Sequence, residues 1–188
     1  MRFFPSRTPS ESSPLVVADN EITRKIIETH DQYLQLDPEH TMLVGSAAMA
    51  LYGIHLSDYD PLSDTKITRP GDLDFAANPL YMEDIYTNGT KKGLAANVKS
   101  QGSDQTILRV DTPLLPADLI TRFDDDGDIE SFSRKFQAAL DRNSRPVDGS
   151  ELRIITPTKM LRELRRNSFD PKAAADYTNA ATFFGRTR

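Results

Sequence analysis

Two aspartates on one predicted strand are the residues of this chain best suited to chemistry. Side chains alternate across a strand, so Asp72 and Asp74 point to one side while Leu73 and Phe75 face the core. Two carboxylates on one face repel each other unless a cation neutralises them. Because Mg²⁺ prefers carboxylate oxygens together with substrate phosphates, this pair is a predicted magnesium site.

A turn of small residues precedes this strand and is suited to bind anions. The apolar run of residues 42–44 ends at Gly45, and Ser46 is the predicted N-cap of the alanine-rich segment that follows, which indicates a strand, a tight turn and a helix. Glycine lets the backbone approach a ligand closely, and the free N–H groups of a first helical turn point positive charge at a phosphate. Gly45 and Ser46 are therefore predicted to bind a phosphate group.

These two motifs, in this order, resemble the nucleotidyltransferase superfamily related to DNA polymerase beta. The signature of that superfamily is a Gly-Ser or Gly-Gly turn followed by an Asp-x-Asp strand. The resemblance covers roughly residues 41–176 and is strongest with small bacterial toxins of toxin–antitoxin or abortive-infection systems, including the AbiEii-like group. It implies a third carboxylate on a neighbouring strand, and Asp118 is the candidate.

The C-terminal part of the chain departs from the family pattern. Relatives often carry a lysine on one helix and an Arg…Lys-Asp…Asp run on the next, whereas here Lys172 is followed by alanine and only Asp176 remains. By position and charge, Arg165, Arg166 and Lys172 are the candidate residues of the triphosphate clamp. Arg69, just ahead of the aspartate strand, would pair either with a phosphate or with the neighbouring carboxylates.

The resemblance implies an enzyme that transfers a nucleoside monophosphate from a nucleoside triphosphate, such as ATP, to an acceptor hydroxyl. Two Mg²⁺ ions are expected, with Mn²⁺ as an alternative. Asp72 and Asp74 would hold the ion that binds the triphosphate, while Asp118 would help to hold the second ion, which lowers the pKa of the acceptor hydroxyl. Gly45 and Ser46 would orient the triphosphate for in-line attack at the α-phosphorus, with pyrophosphate leaving.

The distribution of charge favours RNA, and tRNA in particular, as the acceptor. The formal net charge is -5, yet residues 157–188 carry seven Lys or Arg against three Asp or Glu. A basic segment beside an acidic metal site suits a polyphosphate or RNA partner, but a solvated helix face explains the same charges equally well. The resemblance to toxins also implies a cognate antitoxin protein as a partner.

Three other functions remain open at this point. A protein hydroxyl could be the acceptor, as in AMPylation, in which case the nucleotide would be attached to protein. A non-catalytic member of the same fold would bind a nucleotide without turnover, and the altered clamp favours this alternative. An interaction module, such as an antitoxin-like or assembly protein, would bind no Mg²⁺-nucleotide at all.

Several classes of protein are excluded by composition and motifs. The chain has no cysteine, which excludes disulfides, thiolate metal sites and a cysteine nucleophile. It contains neither a Gly-x-Ser-x-Gly elbow nor a Walker loop. The acidic run 123–128 fails as an EF-hand, because Arg122 and Ser133 would occupy the first and last ligand positions. No apolar run approaches the ~20 residues of a membrane helix, and no signal peptide is evident, so we expect a cytoplasmic protein without membrane contact.

The predicted fold is α+β, a mixed sheet flanked by helices of the nucleotidyltransferase type, with further helices at the C-terminus. We expect a flexible tail at 1–18, a core at 19–156 and a basic helical segment at 157–188 packed on the core. Periodicity predicts helices at 20–36, 47–54, 80–86, 91–99, 132–140, 158–167 and 171–184. Strands are predicted from 41 and at 72–75, 107–110, 117–120 and 152–155, and the polar insert 55–68 is predicted to be a surface loop.

Overall fold

In the computed structural model, which describes residues 13–54, 71–101, 105–122 and 128–186, seven strands and six α-helices form an α+β fold. The strands are β1 (Thr41–Val44), β2 (Leu73–Ala77), β3 (Ala96–Gln101), β4 (Gln105–Val110), β5 (Ala117–Arg122), β6 (Ser144–Pro146) and β7 (Arg153–Ile155). The helices are α1 (Glu21–Glu28), α2 (Gly45–Leu51), α3 (Pro79–Asn88), α4 (Ile129–Asn143), α5 (Pro157–Arg166) and α6 (Pro171–Arg186), and a π-helical segment, Thr29–Leu34, extends α1. The predicted fold class, a mixed sheet flanked by helices that include C-terminal ones, is confirmed.

All seven strands belong to one sheet with the order β3-β4-β5-β2-β1-β7-β6. The central strand β2 runs antiparallel to β1 and parallel to β5. On one side β3, β4 and β5 form an antiparallel meander, and on the other side β7 is parallel to β1 and antiparallel to β6. The register of β2 and β5 pairs Asp74 with Asp118, so two of the predicted site carboxylates are neighbours in the sheet.

The central strands separate an apolar face from a polar face. Leu43, Leu73, Phe75 and Leu119 are at most 1% exposed, and they belong to one hydrophobic core with residues of α1, α2 and α3. Burial of each such side chain contributes about 1.5–3 kcal/mol to folding. The prediction that Leu73 and Phe75 face the core is confirmed, and alternation turns the aspartates to the opposite face.

The start of α2 differs from the prediction. This helix begins at Gly45, and its N-cap is Val44, which makes no side-chain capping hydrogen bond. The assignment of Ser46 as N-cap is therefore wrong, because the helix begins earlier and Ser46 lies inside its first turn. Side-chain capping occurs instead at α1, where the Asn20 side chain accepts a hydrogen bond from the backbone N–H of Thr23.

The helix predicted at 91–99 is also wrong, because this segment turns and then continues into β3. Gly93 has a φ of 76°, and its N–H donates to the carbonyl of Thr90, which closes a turn instead of a helix. The chain then becomes extended and pairs with β4, with an irregular register between Val98 and Ser100. The short polar strand β6 has no apolar periodicity and was not predicted.

The C-terminal helices pack against each other and contribute Met160 and Ala180 to the hydrophobic core. The Tyr52 hydroxyl donates to the carbonyl of Ile155, and the Tyr52 ring meets Phe184 of α6 edge-on at 5.4 Å. None of the helices in the described ranges combines the length and apolarity needed to cross a membrane.

The chain ahead of α1 is attached to the sheet from residue 13 onward. The N–H of Leu15 donates to the carbonyl of Pro146, and the side chain of Arg145 donates to the carbonyls of Ser13 and Pro14. Residues 1–12 of the predicted tail and the whole predicted loop 55–68 lie outside the described residues.

Candidate metal centre

Three carboxylates meet on the polar face of the sheet. Asp72 directly precedes β2, Asp74 lies on β2, and Asp118 is paired with Asp74 on β5. One carboxylate oxygen from each residue lies within 4.8 Å of the other two. A single hard cation that binds oxygens at about 2.0–2.6 Å can bridge such a group. The structure thus brings together the three predicted metal ligands, here called the carboxylate triad.

The pKa of Asp74 indicates that negative charge outweighs positive charge around this carboxyl group. Burial, followed by the negative charges of Asp72 and Asp118, raises the pKa of Asp74 from 3.8 to about 6, while Lys99 and Lys172 act in the opposite direction. A bound divalent cation would supply the charge that keeps Asp74 ionised. The three oxygen donors and the unmet charge of Asp74 therefore fit Mg²⁺ or Mn²⁺.

Gly45 of the small-residue turn lies against Asp74. Its φ is +66°, a conformation that side chains disfavour, and a Cβ atom at this position would be 2.6 Å from Oδ2 of Asp74. Any side chain here would have to displace the carboxylate. The predicted phosphate-binding turn is consequently adjacent to the predicted metal ligands.

Two cations that the sequence analysis missed are bound to the triad. Arg109 of β4 donates to Oδ1 of Asp118 at 2.6 Å and to Oδ2 of Asp72 at 3.2 Å. The hydrogen bond with Asp118 is the main reason why the pKa of Arg109 is raised. Lys99 of β3 places its Nζ atom 2.5 Å from Oδ2 of Asp118. Both oxygens of Asp118, whose side chain is only 5% exposed, therefore accept a hydrogen bond from a cation.

The sequence of β4 predicts the direction of the Arg109 side chain, but no local pattern predicts the position of Lys99 on β3. Alternation within the predicted strand puts Arg109 on the face opposite Leu108 and Val110, and the antiparallel register with β5 pairs it with Asp118. Lys99 lies in the segment that periodicity assigned to a helix, at the point where β3 is irregular. Its position depends on the pairing of three strands, which local sequence does not specify.

Among the predicted basic residues that the structure describes, Lys172 is the one whose charge acts on the triad. Lys172 lowers the pKa of Asp74 and forms an ion pair with Asp176 at 3.0 Å. Arg166 is exposed, lies 4.0 Å from Glu163 and lines the cavity described below.

Two further predicted residues are not joined to the triad. In the part of the chain that the structure describes, no hydrogen bond or ion pair links Ser46 or Arg165 to the three carboxylates, and the side chain of Arg165 is exposed. Arg69 lies outside the described residues.

A cavity of about 560 Å³ opens beside the triad. Val44, Gly45 and Ala76 contribute to its floor, on the sheet face that carries the aspartates, and α4 and α5 supply walls. Most of the lining is apolar, with Phe132 and Phe136 from α4, and a few polar groups lie among these side chains. A cavity of this volume is in the range of about 300–1,000 Å³ that small-molecule sites occupy.

No family model, curated protein or solved structure matches this chain. The function of the site therefore has to be inferred from its own residues.

Proposed function

We propose that this protein is a Mg²⁺-dependent nucleotidyltransferase that moves a nucleoside monophosphate from a nucleoside triphosphate to an acceptor hydroxyl. The observation that carries the proposal is the carboxylate triad, held on adjacent strands with Gly45 against one of its members. A triad of this kind favours binding of a divalent cation, and nucleoside triphosphates exist in cells mainly as magnesium complexes.

Each part of the site has a role in this reaction. Asp72, Asp74 and Asp118 would hold the divalent ions, which supply Lewis-acid stabilisation of the triphosphate and activate the acceptor hydroxyl when bound. The backbone at Gly45 would orient the triphosphate, because the first N–H groups of a helix lack intrahelical acceptors and can donate to an anion. The acceptor hydroxyl would release its proton to solvent as its oxygen bonds to the α-phosphorus. The bond between the α-phosphorus and the oxygen that bridges to the β-phosphate would break, and pyrophosphate would depart toward positive charge supplied by Lys172.

The cavity supports binding of the nucleoside part of the substrate. It begins at Gly45, next to the triad, and extends between the sheet and helices α4 and α5. The rings of Phe132 and Phe136 offer faces on which a base can stack, and Lys159 and Glu163, paired at 2.5 Å, offer polar groups to its edge. An apolar cavity with a few polar groups beside a phosphate site suits a nucleotide better than a bare phosphate.

The surface at the end of α5 favours RNA, and tRNA in particular, as the acceptor. The side chains of Arg165 and Arg166 are exposed at the end of α5. Phe169, in the turn that leads to α6, is 86% exposed. Exposed aromatic and basic side chains in one turn can stack on unpaired bases and contact phosphates. A toxin with a cognate antitoxin is the biological setting that the family resemblance adds to this proposal.

One observation favours a second candidate, a non-catalytic protein that binds nucleotides in the same cleft. Lys99 and Arg109 engage both oxygens of Asp118, and a carboxylate held in this way is less available to a metal ion. Such a protein would bind a magnesium nucleotide without transferring any part of it.

A labelling experiment separates these functions. The pure protein is incubated with Mg²⁺, each α-³²P-labelled triphosphate in turn, and either total RNA or RNA-free lysate protein, with Asp74→Asn as the inactive control. Label on RNA supports the proposal, and label on protein shows instead that the acceptor is a protein. Binding of a magnesium nucleotide without label identifies the non-catalytic alternative. If neither Mg²⁺ nor any triphosphate binds, the nucleotidyltransferase assignment is wrong and an interaction module remains.

A further inference from the structure

Asp118 differs from the other members of the triad because both of its oxygens are bound to cations. Arg109 occupies Oδ1 and also contacts Asp72, and Lys99 occupies Oδ2. In the described part of the chain, Asp74 has no hydrogen-bond or ion-pair partner, although it belongs to the same group. The positive charge already present in the site is therefore concentrated on the Asp118 side.

The two cations are held to different degrees. Arg109 is 26% exposed and lies between Asp72 and Asp118, with Asp111 at 3.7 Å, so three carboxylates hold its guanidinium group. Lys99 is 45% exposed, and Asp118 is its ion-pair partner among the described residues. A lysine with one partner and a flexible stem can leave its carboxylate at low cost, whereas the arginine cannot.

Alternation along β3 places Lys99 on the sheet face that carries Asp118, because Asn97, two residues earlier, is paired with Arg109, and Arg109 is paired with Asp118. In the pairing of β3 with β4, Val98 is opposite Leu108 and Ser100 is opposite Ile107, which leaves Lys99 as the extra residue between them. The Lys99 side chain extends past β4 to Asp118 on β5.

The ammonium group of Lys99 occupies one of the oxygens that a metal ion at Asp118 would use. Nζ lies 2.5 Å from Oδ2 of Asp118, and Mg²⁺ would bind a carboxylate oxygen at about 2.0–2.1 Å. An ammonium and a divalent ion cannot both stay at this distance from one oxygen, because their charges repel each other strongly across a few ångströms.

We propose that Lys99 is an internal cation that takes the place of the second divalent ion at Asp118. The triad then binds one ion through Asp72 and Asp74, and it admits another only after the Lys99 ammonium has left Asp118. This inference rests on the proposed metal site, and it assigns Lys99 as a positioning residue that controls how many ions the site holds.

Titration of Mn²⁺ into the full chain by calorimetry, without nucleotide, tests this assignment. Wild-type protein should bind one ion per chain, with a second ion at least about tenfold weaker, since the second ion has to displace the lysine. Lys99→Met keeps the length of the side chain but removes its charge, and it should tighten the second site by about tenfold or more. The matched control is Lys92→Met, which changes an exposed lysine of the preceding loop and should behave like the wild type.

Two further variants keep the test decisive if Lys99→Met folds poorly. Lys99→Arg retains the charge and should keep the second site weak, while Lys99→Gln should tighten it. Equal Mn²⁺ stoichiometry and affinities in the wild type, Lys99→Met and Lys99→Gln would overturn the role of Lys99 and leave the metal site in place. Absence of Mn²⁺ binding in every variant, with Asp74→Asn indistinguishable from the wild type, would overturn the metal site and the proposed function together with it.

Discussion

Asp74→Asn should stabilise the metal-free protein at neutral pH. Burial, with the charges of Asp72 and Asp118, raises the pKa of Asp74 from 3.8 to about 6. Between these two values the folded state keeps a proton that the unfolded state has lost. Folding stability of the wild type therefore falls as the pH rises from about 4 to about 6, and it stays lower above that range.

The size of the effect follows from the same pKa difference. The pKa differs by about two units between the folded and unfolded states, and one unit corresponds to about 1.4 kcal/mol of free energy. The loss of folding stability is therefore at most about 3 kcal/mol, and solvent that reaches part of the carboxylate reduces it. Asparagine has nearly the same shape but never ionises, so the variant avoids this loss. For a chain of this size, a gain of that order raises the melting temperature by several degrees, at about 2–4 °C per kcal/mol.

Thermal melts followed by circular dichroism between pH 4 and pH 8, with EDTA present, measure this gain. The gain from Asp74→Asn should be close to zero at pH 4 and largest at pH 7 or above. Asp148→Asn is a matched control, because Asp148 is an exposed aspartate of a surface turn outside the triad. Addition of Mg²⁺ should raise the melting temperature of the wild type but not that of Asp74→Asn. A variant that is less stable than the wild type at pH 7, or a gain that does not depend on pH, would refute the reasoning.

Two further predictions concern the ligands of the cleft. A triphosphate with Mg²⁺ should stabilise the folded protein by about 2.7 kcal/mol at a hundredfold excess over its dissociation constant, and this stabilisation should shrink when EDTA removes the metal. Gly45→Val should abolish it and lower the basal melting temperature, because φ is +66° and a Cβ would be 2.6 Å from Asp74; an unchanged shift in this variant would mean that the nucleotide binds elsewhere. RNA binding should weaken steeply with salt, and joint replacement of Arg165 and Arg166 by glutamine should reduce the slope of log affinity against log salt by about two. Filter binding at several salt concentrations measures that slope, and a slope that does not change would remove these arginines from the RNA surface.

The carboxylate triad was predictable because its geometry depends on local alternation and on chain order. Asp72 and Asp74 share a face in any strand that buries Leu73 and Phe75, and those two residues are buried. The family resemblance added Asp118, which the parallel register of β2 and β5 brings next to Asp74.

Other features of the site depend on interactions that local sequence does not contain. The cation at Asp118 comes from Lys99 on a bulge, and its position requires that β3, β4 and β5 pair in a particular register. Gly93 lies inside the helix predicted at 91–99 and prevents it from forming, since a residue with a φ of 76° cannot continue helical turns. Ser46 looked like a cap because serine is a good one, but the extended residue ahead of α2 is Val44.

The two outer strands of the sheet limit how other chains can attach to it. An exposed edge offers free N–H and C=O groups to a foreign strand, which is a common route to aggregation. Here β3 carries the bulge and the charged Lys99, while β6 has three residues and ends at Pro146, which has no N–H and whose carbonyl accepts a hydrogen bond from Leu15. Neither edge presents a long regular ladder to a foreign strand. A macromolecule that meets the sides of this sheet therefore finds little regular backbone with which to pair.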